Sequence, residues 1–124
     1  MYSTDINEKI MCKTRSGNKI YWMLTAEQGA PNFELRYIEL PPGGKSSYGR
    51  HPHEHEVFVV KGEGRIRGKE NGREYEKPLS PGVAVFVPGD EEHQWINLRN
   101  DEPFGFICVV PKGAEAESKP PCWR

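Results

Sequence analysis

Gly43-Gly44-Lys45-Ser46-Ser47-Tyr48-Gly49-Arg50-His51-Pro52-His53-Glu54-His55-Glu56-Val57-Phe58-Val59-Val60-Lys61-Gly62 is the stretch on which the fold turns. Side chains two apart on a strand point the same way, so Val57 and Val59 share a face with His51, His53 and His55. Three of the four histidines therefore fall within five residues at one parity. The fourth, His93, follows Val87-Pro88-Gly89-Asp90-Glu91-Glu92 and shares a face with Trp95 and Asn97. Neutral imidazole is the commonest metal ligand among side chains. A tight cluster joined by one remote histidine is how a β-scaffold gathers nitrogen donors around a transition metal. Pro52 bends the chain locally, which leaves the direction of His53 the least determined.

Outward from this stretch, 11 prolines and 13 glycines fall mostly between short apolar runs, the punctuation of an all-β domain. The runs predict strands over Lys19–Leu24, Phe33–Leu40, Glu54–Lys61, Gly64–Arg67, Arg73–Glu76, Val83–Val87, His93–Asn97 and Phe104–Val110. Pro41-Pro42-Gly43-Gly44 breaks the chain after the second. Asn71-Gly72 signals a hairpin, since both residues accept positive φ. No segment carries a sustained helical period and no internal repeat is visible. Short, closely spaced strands of this kind read as a small barrel or jelly roll. Residues 1–124 read as a single domain: an N-terminal segment over 1–18, a barrel over 19–110 and a tail over 111–124. The tail, with Trp123, reads either as a segment docking on a partner or as disordered chain.

Composition narrows the function classes. With 17 basic and 18 acidic residues the net charge is −1, which gives no electrostatic case for nucleic acid. The longest apolar run, Gly105 to Pro111, is far short of the roughly 18 residues a membrane span needs. The N-terminus shows no export signal. Cys12, Cys108 and Cys122 are odd in number and without paired spacing, which predicts no disulfide framework and a cytoplasmic location.

Spacing then resembles the cupin superfamily, in particular its small single-domain members with a conserved barrel. Their first motif is G-x5-H-x-H-x3,4-E-x6-G, matched here by Gly43, His51, His55 and Gly62; the second is G-x5-P-x-G-x2-H-x3-N, matched by Gly82, Pro88, His93 and Asn97. Gly49 stands at the family's first histidine, His55 at its glutamate and Asp90 at the second motif's inner glycine. Reading His51 and His53 as the paired histidines instead puts Lys45 at the opening glycine and Val57 or Phe58 at the acid, and fails twice.

The resemblance implies a double-stranded β-helix with one divalent transition metal (iron, manganese, zinc, nickel or copper) held by His51, His55 and His93. His53 is either a fourth ligand replacing the one lost at Gly49 or a residue lining the approach. Such a site keeps coordination positions open for water, dioxygen or a bidentate oxygen substrate. Tyr37, Tyr48, Trp95 and Phe106 are candidate cavity walls. Cys108 is either a buried small hydrophobe or a thiol facing the metal cavity. Arg36 and Arg50 are candidates to hold an anionic substrate. Asn97 is expected to brace a turn, and Asp90-Glu91-Glu92 to form a solvated one.

Two functions follow from the resemblance. One is a metal-dependent enzyme acting on a small polar molecule, with dioxygenase-like chemistry ahead of isomerase, lyase or decarboxylase. The other is a non-catalytic small-molecule binder or sensor with a degenerate site. No side chain beyond the ligand candidates stands out as an acid or base. A homodimer is expected by the same analogy.

Overall fold

All eight runs predicted from the sequence build strands close to where the pattern places them. The structure is a computed structural model that describes residues 1–122. Trp123 lies outside the described residues.

The strands are Met11–Lys13 (β1), Lys19–Leu24 (β2), Phe33–Leu40 (β3), His55–Lys61 (β4), Gly64–Glu70 (β5), Arg73–Leu79 (β6), Ala84–Val87 (β7), His93–Asn97 (β8) and Phe104–Pro111 (β9). They form a six-stranded sheet in the order β1-β2-β3-β9-β4-β7 and a three-stranded sheet in the order β6-β5-β8. All pairings are antiparallel. Isolated bridges Lys45↔Ile96 and Gly49↔His93 lay the segment before β4 alongside β8 and extend the smaller sheet. This is the all-β jelly roll expected. Among the described residues no helix is long and apolar enough to cross a membrane.

Strand parity places the core between the sheets. Leu40, Val57, Val59, Phe104, Phe106 and Val110 face inward from the larger sheet, and Ile66 and Trp95 from the smaller. Gly64 is required where the sheets close: a Cβ there would come within 2.7 Å of both the Ile96 carbonyl oxygen and the Phe104 ring. Asn97 braces the end of β8 as expected. Its Nδ2 donates to the carbonyls of Pro41 and Glu102, at 3.0 and 2.9 Å, and its Oδ1 accepts from the Arg99 N–H at 2.8 Å.

Three expectations are corrected. The hairpin strands run longer than predicted, to Glu70 and Leu79, because cross-strand pairing carries charged residues beyond the apolar signal. The tail from Lys112 docks back on its own barrel: the Trp22 indole donates to the Ser118 carbonyl, and Lys119 pairs with buried Glu34 at 2.7 Å. Cys12 and Cys122 form a disulfide across a sequence separation of 110. Only β1 and the tail meeting at one edge of the larger sheet bring them together. The pairing removes the cysteine argument for a reducing compartment and leaves Cys108 as the free thiol.

A crosslink closing so long a loop restricts the unfolded chain and stabilises the fold by about 2–4 kcal/mol. Cys12→Ser is therefore expected to lower the urea midpoint, and dithiothreitol to bring the native protein down to the same value. A native midpoint that dithiothreitol leaves in place would show the two cysteines unlinked in solution.

Candidate metal centre

His55 opens β4 and His93 opens β8, each pointing inward and each about 95% buried. His51 arrives differently. It lies before β4 in a loop held by paired backbone bonds: Gly49 N–H to the His93 carbonyl at 3.1 Å, and His93 N–H to the Gly49 carbonyl at 2.8 Å. Asp90 N–H donates to the His51 carbonyl at 2.6 Å, with Asp90 at φ 65°, the left-handed region that suits the glycine expected there. One donor atom from each of His51, His55 and His93 lies within 4.8 Å of the others. The strand begins only at His55, so parity is not what gathers the cluster. Tertiary bridging is.

The ring nitrogens are sorted by their partners. His93 Nδ1 lies 2.9 Å from the Glu91 carbonyl oxygen, an acceptor only, so Nδ1 carries the proton and Nε2 keeps its lone pair. Glu91 is thus not part of a merely solvated turn; its carboxylate also accepts from the Tyr75 hydroxyl at 2.8 Å. His55 Nδ1 faces the Cys108 sulfur at 3.4 Å, while His55 Nε2 is buried with no partner among the described residues. A buried, unpaired ring nitrogen costs roughly 1–3 kcal/mol unless something binds it. A metal taken up by Nε2 of His55 and His93, with both Nδ1 atoms already engaged, fits this donor set. Burial lowers the pKa of His55 to about 3 and also lowers that of His51, so both are neutral and ready to ligate near pH 7.

Behind the imidazoles lies a charged wall. Arg36 on β3 stands opposite Cys108 on β9, and Cys108 opposite Val57 on β4. The Arg36 guanidinium is 3% exposed; its terminal nitrogen donates to Cys108 Sγ at 3.1 Å and to Glu115 Oε2 at 3.0 Å, and it stacks over the Trp22 ring. Burial pushes the Cys108 thiol above its usual range despite the neighbouring guanidinium, so it is protonated near pH 7. His53 stands outside the His51–His55–His93 group but forms a second one with His51 and Glu115, their donor atoms within 4.8 Å of one another, and it meets Glu115 Oε2 at 3.0 Å through Nε2. Glu115, in the tail, carries no sequence signal that links it to the cavity; only the tail's return over the barrel brings it in.

The cavity these residues enclose measures about 190 Å³ and is closed on its apolar side by Leu40, Trp95 and Phe106, with Ser46, Ser47 and Gly49 near its mouth. Of the candidate walls, Trp95 and Phe106 line it. Tyr37 does not: it sits on the outer face of β3 and donates to Glu39 at 3.0 Å. Tyr48 is exposed beside the β5–β6 hairpin. Arg50 is exposed as well.

The family model described as "Cupin domain" matches residues 36–110, more than half of the chain. The chain belongs to the cupin family. This cupin is 40% identical over 77 residues to 1-methylthio-D-xylulose 5-phosphate methylsulfurylase of Rhodospirillum rubrum, an alignment covering 62% of this chain and 46% of that protein. The chain thus spans less than half of that relative's length. Among solved structures it is similar to the polyketide cyclase RemF of Streptomyces resistomycificus, with a TM-score of 0.76, 24% identity, and 90% and 79% of the two chains covered. A cupin-2 domain protein of Rhodospirillum rubrum gives a TM-score of 0.74 at 24% identity, with 89% and 75% covered. These structural likenesses speak to the fold alone.

Two outcomes follow. Metal-free protein should lose stability as pH falls. Unfolded histidine protonates near 6.5, whereas folded His55 stays neutral down to about 3, so between those values the unfolded chain binds the extra proton. Denaturation at about pH 5 should show a loss of up to about 2 kcal/mol relative to neutral pH, and His55→Phe should flatten the dependence. Gly49 needs no glycine conformation, and a Cβ there meets nothing within 4 Å. Gly49→His should therefore fold and retain metal against a chelator longer than the native protein does; faster loss would refute a vacancy at this position.

Proposed function

We propose that this cupin is a metal-dependent enzyme acting on a small polar organic molecule, with the metal held by His51, His55 and His93. The buried Nε2 of His55, without a partner among the described residues and with donor atoms of His51 and His93 within 4.8 Å, carries this reading. When bound, a divalent transition metal supplies a Lewis acid with positions open to oxygen ligands, and imidazole donors suit zinc, copper, iron and nickel alike. The protein's own residues supply the rest. Leu40, Trp95 and Phe106 exclude water from one side, Ser46 and Ser47 offer polar contacts near the mouth, and Arg36 sets a positive charge in the wall.

Among the chemistries open to such a site, polarisation of a substrate carbonyl or hydroxyl is the assignment here. The name of the 40% identical relative, a methylsulfurylase, supports this choice. Oxygenase chemistry is the second reading, favoured by the neutral all-histidine donor set. Oxygen consumption during turnover on a panel of hydroxy-carbonyl compounds separates the two.

His93→Ala and His55→Ala are each expected to lose stoichiometric metal by elemental analysis and at least about 100-fold in turnover, a loss of nearly 3 kcal/mol of transition-state stabilisation. Native protein without metal, and with small-molecule binding unaffected by His93→Ala, would instead identify a non-catalytic binder.

We also propose a homodimer. Phe58 and Phe86 are 49% and 59% exposed on the outer face of the larger sheet, flanking Ile107 and Val109 in a contiguous apolar depression. A second copy covers such a face isologously. Sedimentation should give a dimer that Phe58→Glu converts to monomer; a native monomer at micromolar concentration would remove the proposal.

A further inference from the structure

Among the described residues Glu115 is the one acid lining the cavity, and it comes from outside the barrel. It stands between the end of β9 and the single turn over Ala116–Ser118, at φ 52°, a conformation that a non-glycine residue holds only when its contacts favour it. Its Oε2 accepts from Arg36 at 3.0 Å and meets His53 Nε2 at 3.0 Å. Among the described residues Arg36 is the one arginine or lysine lining the cavity; it is almost wholly buried on a paired strand, and its Nε has no partner among them.

We propose that the Glu115 carboxylate stands in for the anionic head of the molecule this cavity takes. Arg36 with His53 forms the anion-binding position, and the ligand is a small organic anion, a carboxylate or a phosphate ester. The inference rests on the reading of the cavity as a substrate site and adds the class of substrate. Its basis is charge. With Glu115 withdrawn, the guanidinium of Arg36, 3% exposed, has no carboxylate beside it among the described residues, so an incoming anion restores the pairing.

The fold leaves room for the exchange. Gly113 N–H bonds Glu34 at 2.8 Å before Glu115, and Ser118, Lys119 and Cys122 are anchored after it. Between these anchors Ala114 packs on the core and the Glu115 carbonyl accepts from Ser118, so the exchange moves the Glu115 side chain while the backbone stays attached. Glu115 Oε2 lies 3.9 Å from His55 Nδ1, so an anionic head placed there sets the remainder of the ligand beside the imidazole cluster. The cavity of about 190 Å³ has room for roughly six waters' volume, which suits a compact molecule.

Calorimetric titration with inorganic phosphate and with acetate tests this, using full-length protein stripped of metal by chelation, with residual metal measured in the same samples. A site that its own carboxylate fills nine-tenths of the time binds about tenfold more weakly than the free site. Glu115→Gln is thus expected to tighten binding of one anion about tenfold. Arg36→Lys in that background should abolish the gain, and His53→Gln should reduce it if the lysine variant does not fold. A preference for phosphate identifies a phosphate ester, and one for acetate a carboxylate. Equal binding by native protein and Glu115→Gln, or a gain that survives both Arg36→Lys and His53→Gln, overturns the proposal. Parallel samples reloaded with manganese(II), zinc(II), iron(II), nickel(II) or copper(II) keep the two readings apart. A Glu115-dependent gain in a protein that retains none of these metals upholds the anion site while the metal reading fails; metal retention without the gain does the reverse.

Discussion

The ladder β3-β9-β4 is the constraint on which the site depends. Its register sets Arg36 opposite Cys108, and Cys108 opposite Val57, two residues along β4 from His55. A shift of one residue in either pairing would turn Arg36 or Cys108 to the outer face and bring Tyr37 or Ile107 inward, because strand side chains alternate. The buried faces of these strands are lined above and below by Leu40, Phe104, Phe106 and Val110, whose burial resists such a slip.

Placing a guanidinium in that wall brings an obligation. A buried charge is tolerated only when paired and hydrogen-bonded. The neighbouring strands offer Arg36 a thiol and the Trp22 ring, neither of which carries a balancing charge. The carboxylate arrives instead from the tail, which is itself tied down by Glu34, Trp22 and Cys12. The centre is therefore assembled from the barrel and from the segment that follows it. The tail's docking and the electrostatics of the cavity are one problem with one solution.

Several features were legible in residue order because they depend on local pattern. Alternation marked β2, β3 and β8 to the residue, and the spacing of His51, His55 and His93 singled out three residues whose donor atoms come within 4.8 Å of one another. Asn97 was legible because its side chain serves the turn it adjoins. Tyr37 and Tyr48 were misplaced for the opposite reason. Aromatic character marks burial in general, but only sheet register decides which face of β3 is inside, and only the bridges to β8 decide where the loop around Tyr48 lies.

The sequence by itself determined an all-β barrel and the inward parity of β4 and β8, since these follow from the two-residue strand period and from turn chemistry acting over short distances; the bridges of Gly49 to His93 and of Asp90 to His51 then bring the three histidines together. Tertiary structure alone decided that Cys12 reaches Cys122, that Arg36 rather than a tyrosine faces the cavity, and that Glu115 closes on it. Each of those joins residues more than 70 positions apart. No local propensity encodes such a meeting; it exists only once the sheets have closed and the tail has found the surface they leave.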